Sequence, residues 1–432
     1  MNPDAPFPDT IFAMSSGQPP AAIAIVRISG PGAARALTAL AGATPRPRHA
    51  TLATLRDPDT RIVLDRALTL YFPTPRSATG EDLAELHLHG GRAVVAAVER
   101  TLARQPGFRR AEPGEFTRRA FANGVIDLAE AEGLGDLLVA ETEGQRRNAM
   151  ALADGTLSRA IRKWRAELID AAAAIEARID FADEDDVPDD DGASIAVTSR
   201  LRDEIAAMLS APPAERLRDG IRVVIAGPPN SGKSTLFNML VGREAAITTP
   251  IPGTTRDLIE YPVQLDGVPF VFVDSAGLRE TDDGVERIGV ARALDAIGGA
   301  DIVLWMGPLD EPITSDAIRV HGRCDLPERM VMPPSAHVAV SAKTGEGLAT
   351  LRAAIVSRGT LLLPREGEIA LGKRQRDALG DCLTALSTAA SGDILLVSES
   401  LRAARASLDQ LTGDGGVEPL LDAIFSRFCI GK

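Results

Sequence analysis

Residues 1–119 alternate short β-like apolar runs with turns. The clearest strands are residues 22–28 (Ala-Ile-Ala-Ile-Val-Arg-Ile) and 66–72 (Arg-Ala-Leu-Thr-Leu-Tyr-Phe). Pro45, Pro47, Pro58, Pro73 and Pro75 punctuate the stretch. It reads as a compact α+β domain. Over residues 120–215 the spacing becomes helical, with apolar positions at Leu128, Leu134, Leu137, Leu138, Trp164, Leu168, Ala172 and Ile175. The acidic run over residues 183–191 reads as a solvated loop within these helices. Ala211-Pro212-Pro213 breaks the pattern, and residues 216–364 read as an α/β domain. Residues 365–432 are helical again, with Leu379, Leu383, Leu395, Leu396, Leu401, Leu408 and Leu411 as the apolar set. Helices on both sides of an α/β unit suggest an inserted domain, its flanks packing together as one bundle.

At 432 residues the chain exceeds one ordinary core. No apolar run reaches membrane-spanning length, and the first residues lack a basic-then-apolar leader. Cys324, Cys382 and Cys429 are far apart, which argues against a structural zinc site or disulfide framework and suits a cytoplasmic location. A net charge of −13 disfavours non-specific coating of nucleic acid, though a local basic patch and an RNA substrate remain compatible with it.

The most specific chemistry lies in residues 227–234, Gly-Pro-Pro-Asn-Ser-Gly-Lys-Ser, between an apolar strand at 221–226 and a helical pattern from Thr235. This is the phosphate-binding loop pattern without a mismatch. Its amides and helix N-terminus form an anion cradle spanning Asn230, Ser231, Gly232, Lys233, Ser234 and Thr235. Lys233 reaches the β- and γ-phosphates of a nucleotide, and Ser234 offers its hydroxyl to Mg2+. In the segment Ile247-Thr248-Thr249-Pro250-Ile251-Pro252-Gly253-Thr254-Thr255, a threonine adds a second Mg2+ hydroxyl and senses the γ-phosphate. Asp274 and Gly277 close an apolar strand as Asp-x-x-Gly, the aspartate holding the ion's water shell and the glycine amide meeting the γ-phosphate. Leu278 follows, where a water-orienting glutamine is common, so another group must place the water. The base-reading position holds Gly322-Arg323-Cys324-Asp325. Asp325 can accept from guanine N1 and N2, while Gly322 and Arg323 replace the usual Asn and Lys, weakening selectivity. Ser341, Ala342 and Lys343 suit the loop behind the guanine.

These motifs, with Arg27-Ile28-Ser29-Gly30, Thr79-Gly80-Glu81-Asp82-Leu83-Ala84-Glu85, Pro113-Gly114-Glu115-Phe116-Thr117 and a final Cys429-Ile430-Gly431-Lys432, resemble the MnmE (TrmE) family of tRNA modification GTPases over essentially the whole chain. The resemblance implies a P-loop GTPase domain inserted into an α-helical domain and preceded by an α+β folate-binding and dimerisation domain. It implies a homodimer working with flavin-dependent MnmG (GidA). Together they add an aminomethyl or carboxymethylaminomethyl group to carbon 5 of the tRNA wobble uridine, using a tetrahydrofolate one-carbon unit. By the matching motifs, K+ replaces an arginine finger and is held by the Asn230 side chain and main-chain oxygens of Thr249, Ile251 and Thr254. Ser234 and Thr255 ligate Mg2+, and Glu286, by itself an ordinary surface helix residue, places the water. Arg27, Glu85 and Lys432 match the folate positions, whereas Val125 stands where the family often has lysine. Cys429 is either a reactive thiol or a packed side chain. From the nucleotide motifs taken alone, a ribosome-assembly-type GTPase and a weakly binding scaffold stay open.

Overall fold

The computed structural model describes residues 7–180, 192–228, 230–242, 260–273, 298–308, 317–389, 394–413, 418–426, 428 and 430–431. The chain divides into two compact units. One comprises Met1–Gly135, Leu152–Lys163 and Leu408–Lys432; the other comprises Asp136–Ala151 and Trp164–Ser407.

The first unit is built on a six-stranded sheet of β1 (Thr10–Met14), β2 (Ile23–Ser29), β3 (Thr51–Arg56), β4 (Val63–Phe72), β5 (Leu83–His89) and β6 (Phe108–Arg110), in the order β3-β4-β5-β2-β1-β6. All neighbours are antiparallel except β1 and β6. Alternation along a strand sends successive side chains to opposite faces. Val26, Ile28, Leu86 and Leu88 therefore bury under α1 (Ala33–Ala41) and α2 (Arg92–Ala103), with Leu37, Leu40, Val98 and Leu102 opposite them. Arg27, Glu85 and His87 fall on the other face. That face also carries the cross-strand pair Leu52 and Leu68, which are 70% and 43% exposed. Helix α1 stops at Gly42, whose left-handed conformation turns its amide back to Thr38 O.

The second sheet has the order β12-β11-β10-β7-β9-β8, formed by β7 (Ile221–Ala226), β8 (Glu260–Leu265), β9 (Val268–Val273), β10 (Ile302–Trp305), β11 (Ile318–Gly322) and β12 (Val338–Val340). It is parallel except for the β8–β9 hairpin. The hairpin turns on Asp266-Gly267, both at positive φ, as a tight twisted ribbon requires. β7 is apolar and buried nearly throughout, as a central parallel strand should be. Leu236, Phe237 and Leu240 of α9 (Lys233–Gly242), with Leu351 and Ile355 of α10 (Leu348–Leu361), close the core.

The remaining helices are α3 (Glu115–Ala122), α4 (Leu128–Val139), α5 (Glu143–Ala153), α6 (Thr156–Asp180), α7 (Gly192–Ser210), α8 (Ala214–Arg218), α11 (Lys373–Thr388), α12 (Ile394–Thr412) and α13 (Glu418–Phe425). Trp164 Nε1 donates to Glu204 at 2.7 Å, tying α6 to α7. The Arg376 guanidinium caps the end of α7 through Leu209 O and Ala211 O. Leu128, Trp164, Leu168, Ile175, Leu379, Leu401, Leu408 and Leu411 are buried, as their spacing predicts. Leu138, Leu395 and Leu396 instead face solvent, and Cys382 takes the buried slot beside Leu379. A helix has one core stripe, and apolar residues beyond it stay outside. The acidic run over residues 183–191 lies outside the described residues.

Candidate nucleotide and folate sites

The phosphate loop leaves the C-terminal end of β7, the strand between β10 and β9. Crevices outside the carboxyl ends of parallel strands are where such folds bind ligands. Gly227 has φ of 149°, and a Cβ there would meet Met306 C at 3.0 Å, so no larger residue fits the first turn. Asn230 and Gly232 also sit at positive φ, a backbone conformation suited to a tight anion-binding turn. Lys233 opens α9 and folds its ammonium back onto Gly227 O at 2.9 Å and Pro228 O at 2.7 Å. Ser231 Oγ is buried without a hydrogen-bond partner among the described residues. A ring of loop amides, a cation and a spare buried hydroxyl fits a polyphosphate. Asn230, Ser234 and Thr235 are exposed along this edge, as donors to ligand or ions must be.

A cavity of about 320 Å³ adjoins the loop, lined by Ser231, Gly232, Thr235, Met306, Gly322, Arg323, Asp325, Ala342 and Lys343, among others. Thus the loop residues, the base-reading aspartate and the Ser341-Ala342-Lys343 segment converge, as their order along the chain predicts. Ser341 is fully buried, and its hydrogen bond to Asp325, ahead of the opposing effect of burial, holds that carboxyl below the usual carboxylate range. The hydroxyl also accepts from Thr344 N at 3.1 Å. Asp325 therefore stays ionised, as an acceptor for guanine N1 and N2 must. Arg323, in left-handed conformation, runs beside the phosphate loop, its Nε 3.8 Å from the Cβ position of Gly232. Its side chain lines the same cavity. Burial and the charges of Glu346 and Asp325 raise the neighbouring Cys324 thiol, leaving it inert. Sequence reasoning did not find Met306 in the cavity; its only signal was its place at the end of an apolar strand. Thr249, Ile251, Thr254, Thr255, Asp274, Gly277, Leu278 and Glu286 lie outside the described residues.

In the first unit, Arg27 and Glu85 are cross-strand partners, and Arg27 donates through Nε and Nη2 to Glu85 Oε1 at 3.2 and 2.9 Å. His87 Nε2 lies 3.2 Å from Glu85 Oε2, and the Arg27 guanidinium is 5.9 Å from the Phe116 ring centroid. Glu85 also lines a cavity of about 580 Å³ with Arg48, Phe72, Arg76 and Leu83. Cys429 and Lys432 are outside the described residues, but Ile430 bridges to Pro113, and Gly431 O accepts from Ser15 Oγ at 2.7 Å. Gly431 has no room for a Cβ, which would lie 2.1 Å from Met14 O. These contacts bring Gly431 to Ser15 at the end of β1, whose neighbour β2 carries Arg27. Val125 is 41% exposed beside Gly80.

Among the described residues, no helix is long and apolar enough to cross a membrane. A phosphate loop on the central strand of a parallel sheet, opening on a cavity whose ionised aspartate matches guanine, defines a P-loop guanine-nucleotide-binding protein. Comparison with known proteins narrows this class. The family model for the MnmE helical domain matches residues 128–429, and that for the GTP-binding protein TrmE N-terminus matches residues 10–125. The chain is 54% identical over 98% of its length to the tRNA modification GTPase MnmE of Novosphingobium aromaticivorans, covering 100% of that protein. It is 55% identical over 100% of its length to that of Rhizorhabdus wittichii, covering 98% of it. Among solved structures, Era bound to MgGDPNP and a 16S ribosomal RNA segment is 26% identical, covering 38% of this chain and 66% of that one, at a TM-score of 0.26. The chain belongs to the MnmE family of tRNA modification GTPases.

Proposed function

We propose that this GTPase works as a K+-stimulated, Mg2+-dependent homodimer. With flavin-dependent MnmG it installs the aminomethyl or carboxymethylaminomethyl group on carbon 5 of the tRNA wobble uridine, taking its methylene carbon from tetrahydrofolate. The observation that carries the reading is the convergence of the phosphate loop and the Ser341-held Asp325 on one cavity. In it Lys233 exchanges its loop carbonyls for phosphate oxygens, and Asp325 orients the guanine. Ser234 with Thr255 would hold Mg2+, which neutralises phosphate charge when bound. Asn230 and the backbone of Thr249, Ile251 and Thr254 would hold K+, which supplies the charge an arginine finger otherwise brings. By the matching motifs, Asp274 and Gly277 attend the γ-phosphate, and Glu286 places the attacking water.

The folate reading is supported by Arg27, Glu85 and the docked C-terminal segment on adjoining strands. A carboxylate suits the pterin amino group, and guanidinium or ammonium groups suit the glutamate tail. Cys429, three residues before Lys432 in the sequence, would serve as a catalytic thiol. The apolar pair Leu52 and Leu68 shares its sheet face with Arg27 and Glu85 and offers a second copy a surface to cover. We propose domains over residues 1–119, 120–215, 216–364 and 365–432; the third of these contains the second sheet and α10, and the first limit falls within α3.

Steady-state hydrolysis of GTP, ATP and XTP in K+ and in Na+ tests the reading. GTP turnover at least about tenfold faster in K+ is expected, the scale of one transition-state charge. Equal, near-background rates in both salts would refute it. Calorimetric titration with 5-formyltetrahydrofolate tests the second site, and absence of binding at high micromolar ligand removes it.

A further inference from the structure

The base pocket departs from the usual pattern at Gly322, and Met306 fills the space this opens. A Cβ on Gly322 would lie 2.7 Å from Met306 Cε and 3.5 Å from Ser231 O. A carboxamide at this position would thus reach the phosphate loop, and the Met306 methyl now occupies that path. The same methyl lies 3.7 Å from the Cβ position of Gly232, so one thioether side chain borders both the base wall and the loop. Met306 is only 8% exposed and belongs to the sheet's hydrophobic core, and its amide is fixed to Ala226 O at 2.8 Å. Its backbone is therefore held in place, while its thioether fills the gap as an adaptable side chain. Ser231 Oγ, buried and unpartnered among the described residues, is a second mark of a polar strut replaced by an apolar one.

We infer that Met306 is a specificity-determining residue that substitutes for the missing amide at position 322: it braces the phosphate loop by packing and leaves N7 of the purine unread. The inference rests on guanine nucleotide being the ligand. With Asp325 on N1 and N2, the purine edge bearing N7 is left to the Gly322–Met306 wall. A thioether has no donor for N7. With no donor at positions 322 and 306, the pocket selects guanine through Asp325 on its Watson–Crick edge and accepts nucleotides altered at position 7.

The test is equilibrium binding of GTP and 7-deaza-GTP to the full-length protein. Wild type binds the two within about twofold, because no hydrogen bond is lost. Gly322→Asn displaces only the Met306 methyl, the free end of a flexible side chain, and opens about tenfold preference for GTP over 7-deaza-GTP, the worth of one regained hydrogen bond. Met306→Ala alone removes the apolar brace and weakens binding of both nucleotides alike. Circular dichroism melting confirms that each variant is folded, and the wild-type comparison needs no variant. A tenfold wild-type preference for GTP overturns the inference, as does a folded Gly322→Asn that gains no preference for GTP over 7-deaza-GTP. Wild type that binds neither nucleotide overturns the guanine-nucleotide reading itself, and the inference with it.

Discussion

Among the described residues, Arg119 is the largest fully buried side chain. It sits among Asp9, Glu81 and Glu115 at 2.7, 3.2 and 3.1 Å, with the Phe7 ring 4.6 Å away. Burial pushes the Glu115 carboxyl up, but hydrogen bonds from Arg109, the Glu112 amide and Arg119 outweigh it and hold it below its usual range. Asp9 is lowered by the same balance. Removing the cation leaves these carboxylates facing one another, so Arg119→Met should cost about 3–5 kcal/mol in urea unfolding near pH 7. Carboxyls lowered by folding contribute stability above their ordinary values, and that contribution is lost as pH falls through the folded ones. The gap between wild type and Arg119→Met therefore narrows towards pH 3, and a gap constant with pH would contradict the account. In the nucleotide pocket, Asp325→Asn should cut GTP affinity about tenfold to a hundredfold, because two bonds to a charged acceptor go, and it should raise XTP binding; fluorescent-nucleotide titration reads both. Burial pushes the Cys382 thiol up to about 12. It stays protonated at pH 8, and a thiol-specific chromophore should label it only after denaturation.

Elements differ in how plainly the chain announces them. The strand, phosphate loop and α9 were legible because three local signals agree: a continuous apolar run, glycines where the backbone needs positive φ, and a helical pattern after Lys233. The folate-face strands were legible from period-two alternation, which puts Arg27 and Glu85 on one side. What the sequence left silent is contact across elements. Met306 reads as one more apolar residue at a strand end, and nothing local tells that it reaches Gly322. The grip of Ser341 on Asp325 and the His87 contact to Glu85 are likewise products of topology. Gly347 shows how tightly one joint is set. It caps α10 with φ of 73°, and a Cβ there would fall 1.9 Å from Ala339 O. Gly347→Ala should therefore destabilise the protein by about 2 kcal/mol or more and lower nucleotide affinity, because Ser341 donates its amide to Glu346 O at 3.0 Å in the same loop. Melting curves with and without GTP separate the two effects.

At the scale of the whole molecule, the proposed pairing of two copies makes the bare apolar face of the first sheet a matter of concentration. Leu52→Glu with Leu68→Glu should raise the dimer dissociation constant at least about tenfold in sedimentation velocity, since charges replace the centre of a dehydrated patch. Unchanged dimerisation would move the interface elsewhere. Turnover also depends on how the protein behaves between nucleotides. Lys233 rests on the carbonyls of its own loop, so the departure of a phosphate strands no bare cation. The loop is its own understudy: each incoming nucleotide displaces two weak internal ligands and each outgoing one is replaced by them. Such an exchange of partners should ease product release, and GDP dissociation slower than turnover would contradict it.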